Sequence, residues 1–133
     1  MPTLFITGAS RGLGLEFARQ YAAAGWHVIA TCREPANASE LAALGGNVRF
    51  EALDVNDFGA IDGLAGKLSG VPIDILINNA GIGGPRQGPM DMDEQGFLAV
   101  LHTNTLAPLK VAKIVPLPTA SRPSLPGRRP SHL

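Results

Sequence analysis

One cysteine, Cys32, stands in 133 residues, so no internal disulfide can form and the chain suits a reducing compartment. Excess charge is missing as well. Eleven basic residues balance eleven acidic ones, and bulk electrostatics therefore draw the chain neither to nucleic acid nor to an anionic membrane. No apolar run approaches the roughly 20 residues of a membrane-spanning helix. The N-terminus also lacks a basic region leading into a long apolar stretch and a small-residue cleavage site. The expected location is the cytoplasm, with no membrane partner. His27 and His102 have no companions at metal-ligand or triad spacing, which excludes a metal centre from the expectations. Tyr21 is the one tyrosine, and no internal repeat is visible.

What is present is an apolar content of 45%, enough for a core in a chain of single-domain length. The short apolar run Leu4-Phe5-Ile6 reads as a buried strand ending at Thr7. A helix follows from about Arg11 to Ala24, with Leu13, Phe17, Tyr21 and Ala24 at helical spacing and Gly25 suited to its cap. Trp26 to Thr31 is a second strand, and a β-α-β unit of this length requires a right-handed crossover with parallel strands. Asn37, with Glu40 three residues on, is expected to cap a short helix over 38–44 that stops at Gly45-Gly46. Val48, Phe50 and Ala52 alternate with Arg49 and Glu51 in a third strand. Asp57 is placed to cap a helix whose apolar face is Phe58, Ile61, Leu64, Ala65 and Leu68. Ile73, Ile75, Leu76 and Ile77 read as a fourth strand buried on both faces. A Gly- and Pro-rich loop over 81–90 leads to a helix from about Asp93 carrying Phe97, Leu98, Leu101 and Val111, which Pro108 should kink or divide. Glu16 and the acids from Asp91 to Glu94 read as solvated charges.

Between the first strand and the first helix lies Thr7 to Gly14, Thr-Gly-Ala-Ser-Arg-Gly-Leu-Gly. Gly8, Gly12 and Gly14 allow a sharp bend and a close approach of backbone to a phosphate, while the free N–H groups of a helix start attract the anion. The spacing is not the commoner G-x-G-x-x-G, and an ordinary strand-helix turn would use the same residues. Together with Asn78-Asn79-Ala80-Gly81 further on, it resembles the nucleotide-binding motif and second signature of the short-chain dehydrogenase/reductase family. The runs Ala30 to Pro35 and Asn104 to Leu109 resemble a bacterial subgroup related to C-factor and carbonyl reductases. The likeness runs from Pro2 to about Lys113 and then stops abruptly.

The resemblance implies the N-terminal part of a Rossmann-like, doubly wound parallel α/β sheet of strand order 3-2-1-4, and a nicotinamide cofactor as partner. It places Gly8, Ser10, Arg11, Gly12, Leu13 and Gly14 at the phosphates, with Asn79, Ala80 and Gly81 beside the ribose. Asp54 and Val55 correspond to the adenine position, although an Asp is also a routine strand-end turn residue. Where an NAD enzyme would commonly carry an acid after the second strand, Cys32 and Arg33 stand here; Arg33 and Arg11 suit a 2′-phosphate and favour NADP(H) over NAD(H). Two solvated surface arginines would look the same, and Cys32 reads as a small strand-end filler. Asn104 matches the asparagine that positions a proton-relay water in the family, or else bonds a neighbouring backbone group.

The family's reaction, carbonyl reduction or alcohol oxidation, takes its proton from a tyrosine followed four residues later by a lysine, with a serine on the substrate oxygen. Gly25 follows Tyr21 by four, and the serines after the fourth strand are Ser121, Ser124 and Ser131. Those three lie among Pro116, Pro118, Pro123, Pro126 and Pro130 and the basic Arg122, Arg128 and Arg129, a 114–133 tail expected to be disordered. The chain therefore reads as the cofactor half of the fold, truncated or frame-shifted from a longer parent, with the fourth strand at an apolar edge prone to aggregation. A non-catalytic nucleotide-binding module and a fragment without function stand as alternatives. Substrate identity is not legible, and self-association through the last helix is an implication of the resemblance alone.

Overall fold

The computed structural model describes residues 1–82 and 93–115. The chain alternates strands β1 (Thr3–Ile6), β2 (His27–Cys32), β3 (Val48–Ala52) and β4 (Ile75–Ile77) with helices α1 (Gly12–Ala23), α2 (Ser39–Ala42) and α3 (Phe58–Leu68). A last helical segment joins α4 (Glu94–Leu101), a π-helical turn His102–Leu106 and α5 (Ala107–Ile114). The four strands form one parallel sheet in the order β3-β2-β1-β4, the doubly wound α/β arrangement expected from the sequence. Leu4 pairs with Val28 on one side and Ile75 on the other, so β1 is central and buried on both faces. Alternation then sorts the core into two layers. Leu4, Ile6, Val28 and Ala30 pack with Ala18 of α1 and Leu41 of α2, while Phe5 and Ile29 pack with Ile61, Leu64 and Leu68 of α3 and Ala107 and Val111 of α5.

Helix α1 presents a face one residue round from the expected stripe. Gly14 and Ala18 are its buried residues, whereas Leu13 is 72% exposed and Phe17 39%. The cause is steric: the start of α1 lies so close to the turn after β1 that only glycine fits at position 14, and this turns Gly14 and Ala18 inward and Leu13 and Phe17 out, while Leu15 and Tyr21 pack at the margin of the core. Gly25 ends the helix at φ 87°, as its cap role requires. Asn37 does not cap α2. Pro35 instead starts a 3₁₀ turn over Pro35–Asn37, Ala38 holds the cap position without a side-chain bond, and the Asn37 amide donates to the Glu34 carboxylate at 2.7 Å. Asp57 does cap α3, its Oδ1 accepting from Ala60 N at 3.0 Å.

Strand β4 is shorter than its apolar run and half-buried, because it occupies the edge of the sheet among the described residues. Ile73 is fully buried but precedes the strand. In the last segment Asp93 caps α4 through the Gly96 N–H. Phe97, Leu98 and Leu101 are exposed, and Thr103, Ala107 and Val111 are the buried residues of the segment. Pro108 divides the helix by way of the π-helical turn, in which Ala107 N–H reaches back five residues to the His102 carbonyl before the proline enters the first turn of α5. Ile114 and the buried Val115 complete that packing, so the segment beyond Lys113 begins within the fold. The loop 83–92 and the tail 116–133 lie outside the described residues.

Edge strand β3 departs from simple alternation: Glu51 is 9% exposed while Ala52 is open. Arg49 donates to the Glu51 carboxylate at 2.9 Å and Lys67 of α3 at 3.3 Å, which ties the strand to the helix above it. Burial pushes the Glu51 carboxyl upward, but these hydrogen bonds and the two positive charges outweigh it and hold the group below its ordinary 4.5. A depressed carboxylate contributes stability above the unfolded-state value and loses it as pH falls through the folded-state value. Glu51→Gln should therefore cost on the order of 1 kcal/mol at pH 7, given the exposure of both cations. In urea unfolding of both proteins, the gap should close as pH drops below about 4.5; a pH-independent gap would assign the loss to packing.

Candidate functional site

The chain leaves β1 through Thr7 and turns at Gly8, whose φ of 65° is a left-handed conformation that glycine adopts without strain. A Cβ at Gly8 would also lie 2.9 Å from Ala80 Cα, so the turn after β1 and the segment after β4 touch backbone to backbone. At Gly14 a Cβ would come within 2.2 Å of the Gly8 carbonyl oxygen and 2.6 Å of Asn79 Nδ2. Gly12 is different: its φ is 58°, and a Cβ there would meet no protein atom because that side opens into a pocket. The first three N–H groups of α1 have no acceptor within the helix, and no side chain caps them. They are free to meet an anion.

A polar latch joins the two strand ends. Thr7 Oγ1 accepts from the backbone N–H of both Asn79 and Ala80 at 3.1 Å, Asn79 Nδ2 donates to the Gly8 carbonyl at 3.0 Å, and Thr7 N donates to Ile77 O at 3.1 Å. On the other side Ala9 N donates to Thr31 O at 3.0 Å, so the glycine turn is held by both neighbours of β1. Asn78 points the opposite way and donates to the Pro108 carbonyl at 3.2 Å. Asn104 spends both amide atoms on one residue, Oδ1 accepting from Ile82 N at 2.9 Å and Nδ2 donating to Ile82 O at 2.7 Å.

These contacts frame a pocket of about 350 Å³ at the carboxyl ends of the strands, within the usual range for a small-molecule site. Gly8, Ser10, Arg11, Gly12, Arg33, Asp54, Val55, Asn79, Ala80 and Gly81 line it, as do Cys32, Leu53, Asn56, Ile82 and Thr103. Three residues expected at the site stand behind its wall instead: Leu13 faces solvent, Gly14 packs under the turn, and Asn104 braces Ile82. A second cavity of about 520 Å³ shares Ser10, Arg11, Arg33 and Asp54 and adds Glu34 and Asn37. Arg11 and Arg33 are exposed and enter none of the ion pairs among the described residues. Asp54 makes a turn through Oδ1, which accepts from Asn56 N at 2.9 Å. The Cys32 thiol is pushed up by burial against the smaller opposing effect of the Glu34 backbone bond, and is poorly suited to act as a nucleophile. Among the described residues no group of His, Cys, Asp and Glu could hold a metal, and no helix is long and apolar enough to cross a membrane.

A pocket at the strand ends beside a glycine turn and a helix start suits a dinucleotide, and comparison with known proteins agrees. The family model described as short chain dehydrogenase matches residues 2–120. This chain belongs to that family. The matched residues extend past Lys113, beyond the end of the resemblance expected from the motifs. Similar proteins include sulfoacetaldehyde reductase 2 of Chromohalobacter salexigens, 35% identical over 121 residues that cover 87% of this chain and 48% of the relative. A short-chain dehydrogenase/reductase from Burkholderia multivorans with bound NADP superposes with a TM-score of 0.79 at 35% identity, covering 85% of this chain and 52% of that one. A carbonyl reductase from Pseudomonas aeruginosa gives 0.80 at 32% identity, with coverages of 86% and 55%. The chain thus spans about half the length of each.

Within this short-chain dehydrogenase chain, pattern reading assigned no site role to the pocket residues Leu53, Asn56, Ile82 and Thr103, nor to the hydroxyl of Thr7 beside the pocket. Thr7 had a local signal, a hydroxyl residue ending an apolar strand just before the first glycine, but its partners lie more than 70 residues away. Asn56 had none. Its Oδ1 takes the Thr103 hydroxyl at 2.7 Å and stands 2.8 Å from His102 Nδ1, a junction that only the packing of the π-helical turn on the third strand's loop creates.

Thr7→Val keeps the shape of the latch and removes its acceptor, leaving two N–H groups unpaired. It should cost about 2–4 kcal/mol of stability, whereas Thr7→Ser should lose about 1 kcal/mol or less. Chemical denaturation of the three proteins checks this; equal losses for the two variants would show that packing of the methyl group, and not the hydroxyl, matters.

Proposed function

We propose that this chain binds a nicotinamide dinucleotide and prefers NADP(H) to NAD(H). The observation that carries the preference is the pair of guanidinium groups, Arg11 and Arg33, which line both cavities without a carboxylate partner among the described residues. Where an acidic residue would repel a 2′-phosphate, the end of β2 offers Cys32 followed by Arg33. The residues fit the cofactor on local grounds: Gly12 leaves space that a side chain would fill, the α1 start presents free N–H groups, and Asp54 keeps Oδ2 unbonded among the described residues, ready for an adenine amino group. The NADP-bound Burkholderia relative supports the same reading.

In the parent activity this chain serves as the cofactor half of an oxidoreductase acting on a carbonyl or alcohol, the kind of reaction that the similar carbonyl reductase and sulfoacetaldehyde reductase are named for. The bound nicotinamide would supply or accept the hydride. This chain's own residues hold it: the Thr7 latch fixes the phosphate turn, Asn79, Ala80 and Gly81 line the ribose side, and Asn104 sets the loop at Ile82. A second reading, a nucleotide-binding module without turnover, is favoured by Tyr21. Its ring packs edge-on against Trp26, centroids 4.9 Å apart, in the layer of α1 and not in the pocket, and no lysine follows four residues later. Division into a partial domain and a tail, with the boundary expected at 113/114 moved beyond the buried Val115, a reducing cytoplasm, and the C-factor and carbonyl reductase subgroup belong to the same proposal. So does pairing of two copies through the last helix, which the exposed Phe97, Leu98, Leu101, Leu106 and Leu109 support.

Titration with NADPH and NADH, followed by nicotinamide fluorescence, tests the cofactor assignment. NADPH should bind more tightly, and Arg33→Ala should weaken NADPH at least about tenfold while leaving NADH within about threefold. Equal losses for both cofactors would remove the 2′-phosphate from the account.

A further inference from the structure

The cavity that holds the two arginines also holds two acids, Asp54, whose Oδ1 is spent on the Asn56 N–H, and Glu34. Glu34 lines it with Arg11, Arg33 and Asp54, directly after the arginine that the sequence points to and immediately before the proline of the 3₁₀ turn. Such a carboxylate would be expected to collapse onto a neighbouring guanidinium. It does not: Glu34 enters none of the ion pairs among the described residues, and its Oε2 accepts from Asn37 Nδ2 at 2.7 Å instead. Asn37 can do this because Pro35 opens a 3₁₀ turn whose Asn37 N–H bonds the Glu34 carbonyl at 3.0 Å, which brings residues three apart onto one side. The side chain is thereby released from capping α2.

We propose that Glu34 and Asn37 together set cofactor selectivity at this site, Glu34 as a negative counterweight to the arginines and Asn37 as the positioning residue that keeps it from neutralising them. The inference rests on the assignment of the cavity to the adenosine end of NADP(H). Held by Asn37, the carboxylate leaves both guanidinium groups available to a phosphate monoester, yet its charge in the same open cavity weakens that anion's binding. Freed from Asn37, it would pair with Arg33 and compete with the phosphate directly. An anion without a 2′-phosphate ends further from Glu34 and feels little of either effect.

The experiment uses the full chain and two probes that reach only the adenosine end, 2′,5′-ADP and 5′-AMP, titrated by calorimetry at low salt. Glu34→Gln should tighten 2′,5′-ADP about three- to tenfold and leave 5′-AMP unchanged, an effect that added salt reduces. Asn37→Ala should weaken 2′,5′-ADP by about threefold to tenfold, and the double variant should match Glu34→Gln alone, because Asn37 acts only through the carboxylate. Saturable binding with a ratio of affinities indifferent to Glu34, or an Asn37→Ala loss that persists in the Gln background, overturns the proposal while leaving the cofactor assignment standing. Failure of the unaltered chain to bind either probe overturns both.

Discussion

Thr7 Oγ1 accepts hydrogen bonds from two consecutive backbone N–H groups, those of Asn79 and Ala80, and the geometry around the pocket follows from that contact. It draws the end of β4 against the end of β1 until Gly8 and Ala80 touch, closer than a Cβ at position 8 would permit. The Asn79 amide then reaches the Gly8 carbonyl, and the same closeness forbids any side chain at Gly14. With Gly14 pressed inward, α1 is rotated so that Gly12, at its uncapped start, lines the cavity and Leu13 and Phe17 face outward. A latch of part-buried hydrogen bonds on the buried Thr7 hydroxyl is costly to break singly, since each orphaned partner loses hydration as well as its bond.

The helical segment after the loop supplies the opposite wall. Its π-helical turn places His102 and Thr103 at Asn56 and Asn104 at Ile82, so the loop that carries Asp54 and the loop that follows Gly81 are braced by consecutive residues of one turn. Phe58 stacks on His102 with centroids 4.4 Å apart, and Lys110 lies 5.1 Å above the Phe58 ring, closing the outer side of this junction. The fold thus holds the pocket from both strand-end neighbours of β1 and from one helix.

Most of the fold was legible because its local rules agree. The apolar runs at Leu4, Val28, Val48 and Ile75, separated by glycine-stopped helices, yield a parallel sheet of the expected order. Ten of the residues expected at a cofactor line one pocket, and their types, glycines, a strand-end acid and an asparagine among them, leave a trace in the chain itself. What was illegible depends on distance. The turn of α1 away from Leu13 and Phe17 is imposed by Gly8 and Asn79 and not by helical periodicity. Asn37 matched a capping pattern, but Pro35 set a 3₁₀ turn first and redirected its amide to Glu34. Asn56 and Thr103 are 47 residues apart and meet only through tertiary packing. The apolar face of α4 shows the opposite case, a strong pattern whose side chains the described fold leaves exposed.

The central claim is that the latched glycine turn is a nucleotide cradle, and amide chemical-shift mapping of the isotope-labelled chain with NADP⁺ tests it most directly. Saturable shifts should cluster at residues 8–14, at Arg33, at 54–56 and at 79–82, with α3 and the outer face of α4 unmoved. Absence of saturable shifts, or shifts concentrated on the exposed residues of α4 and α5, would contradict it.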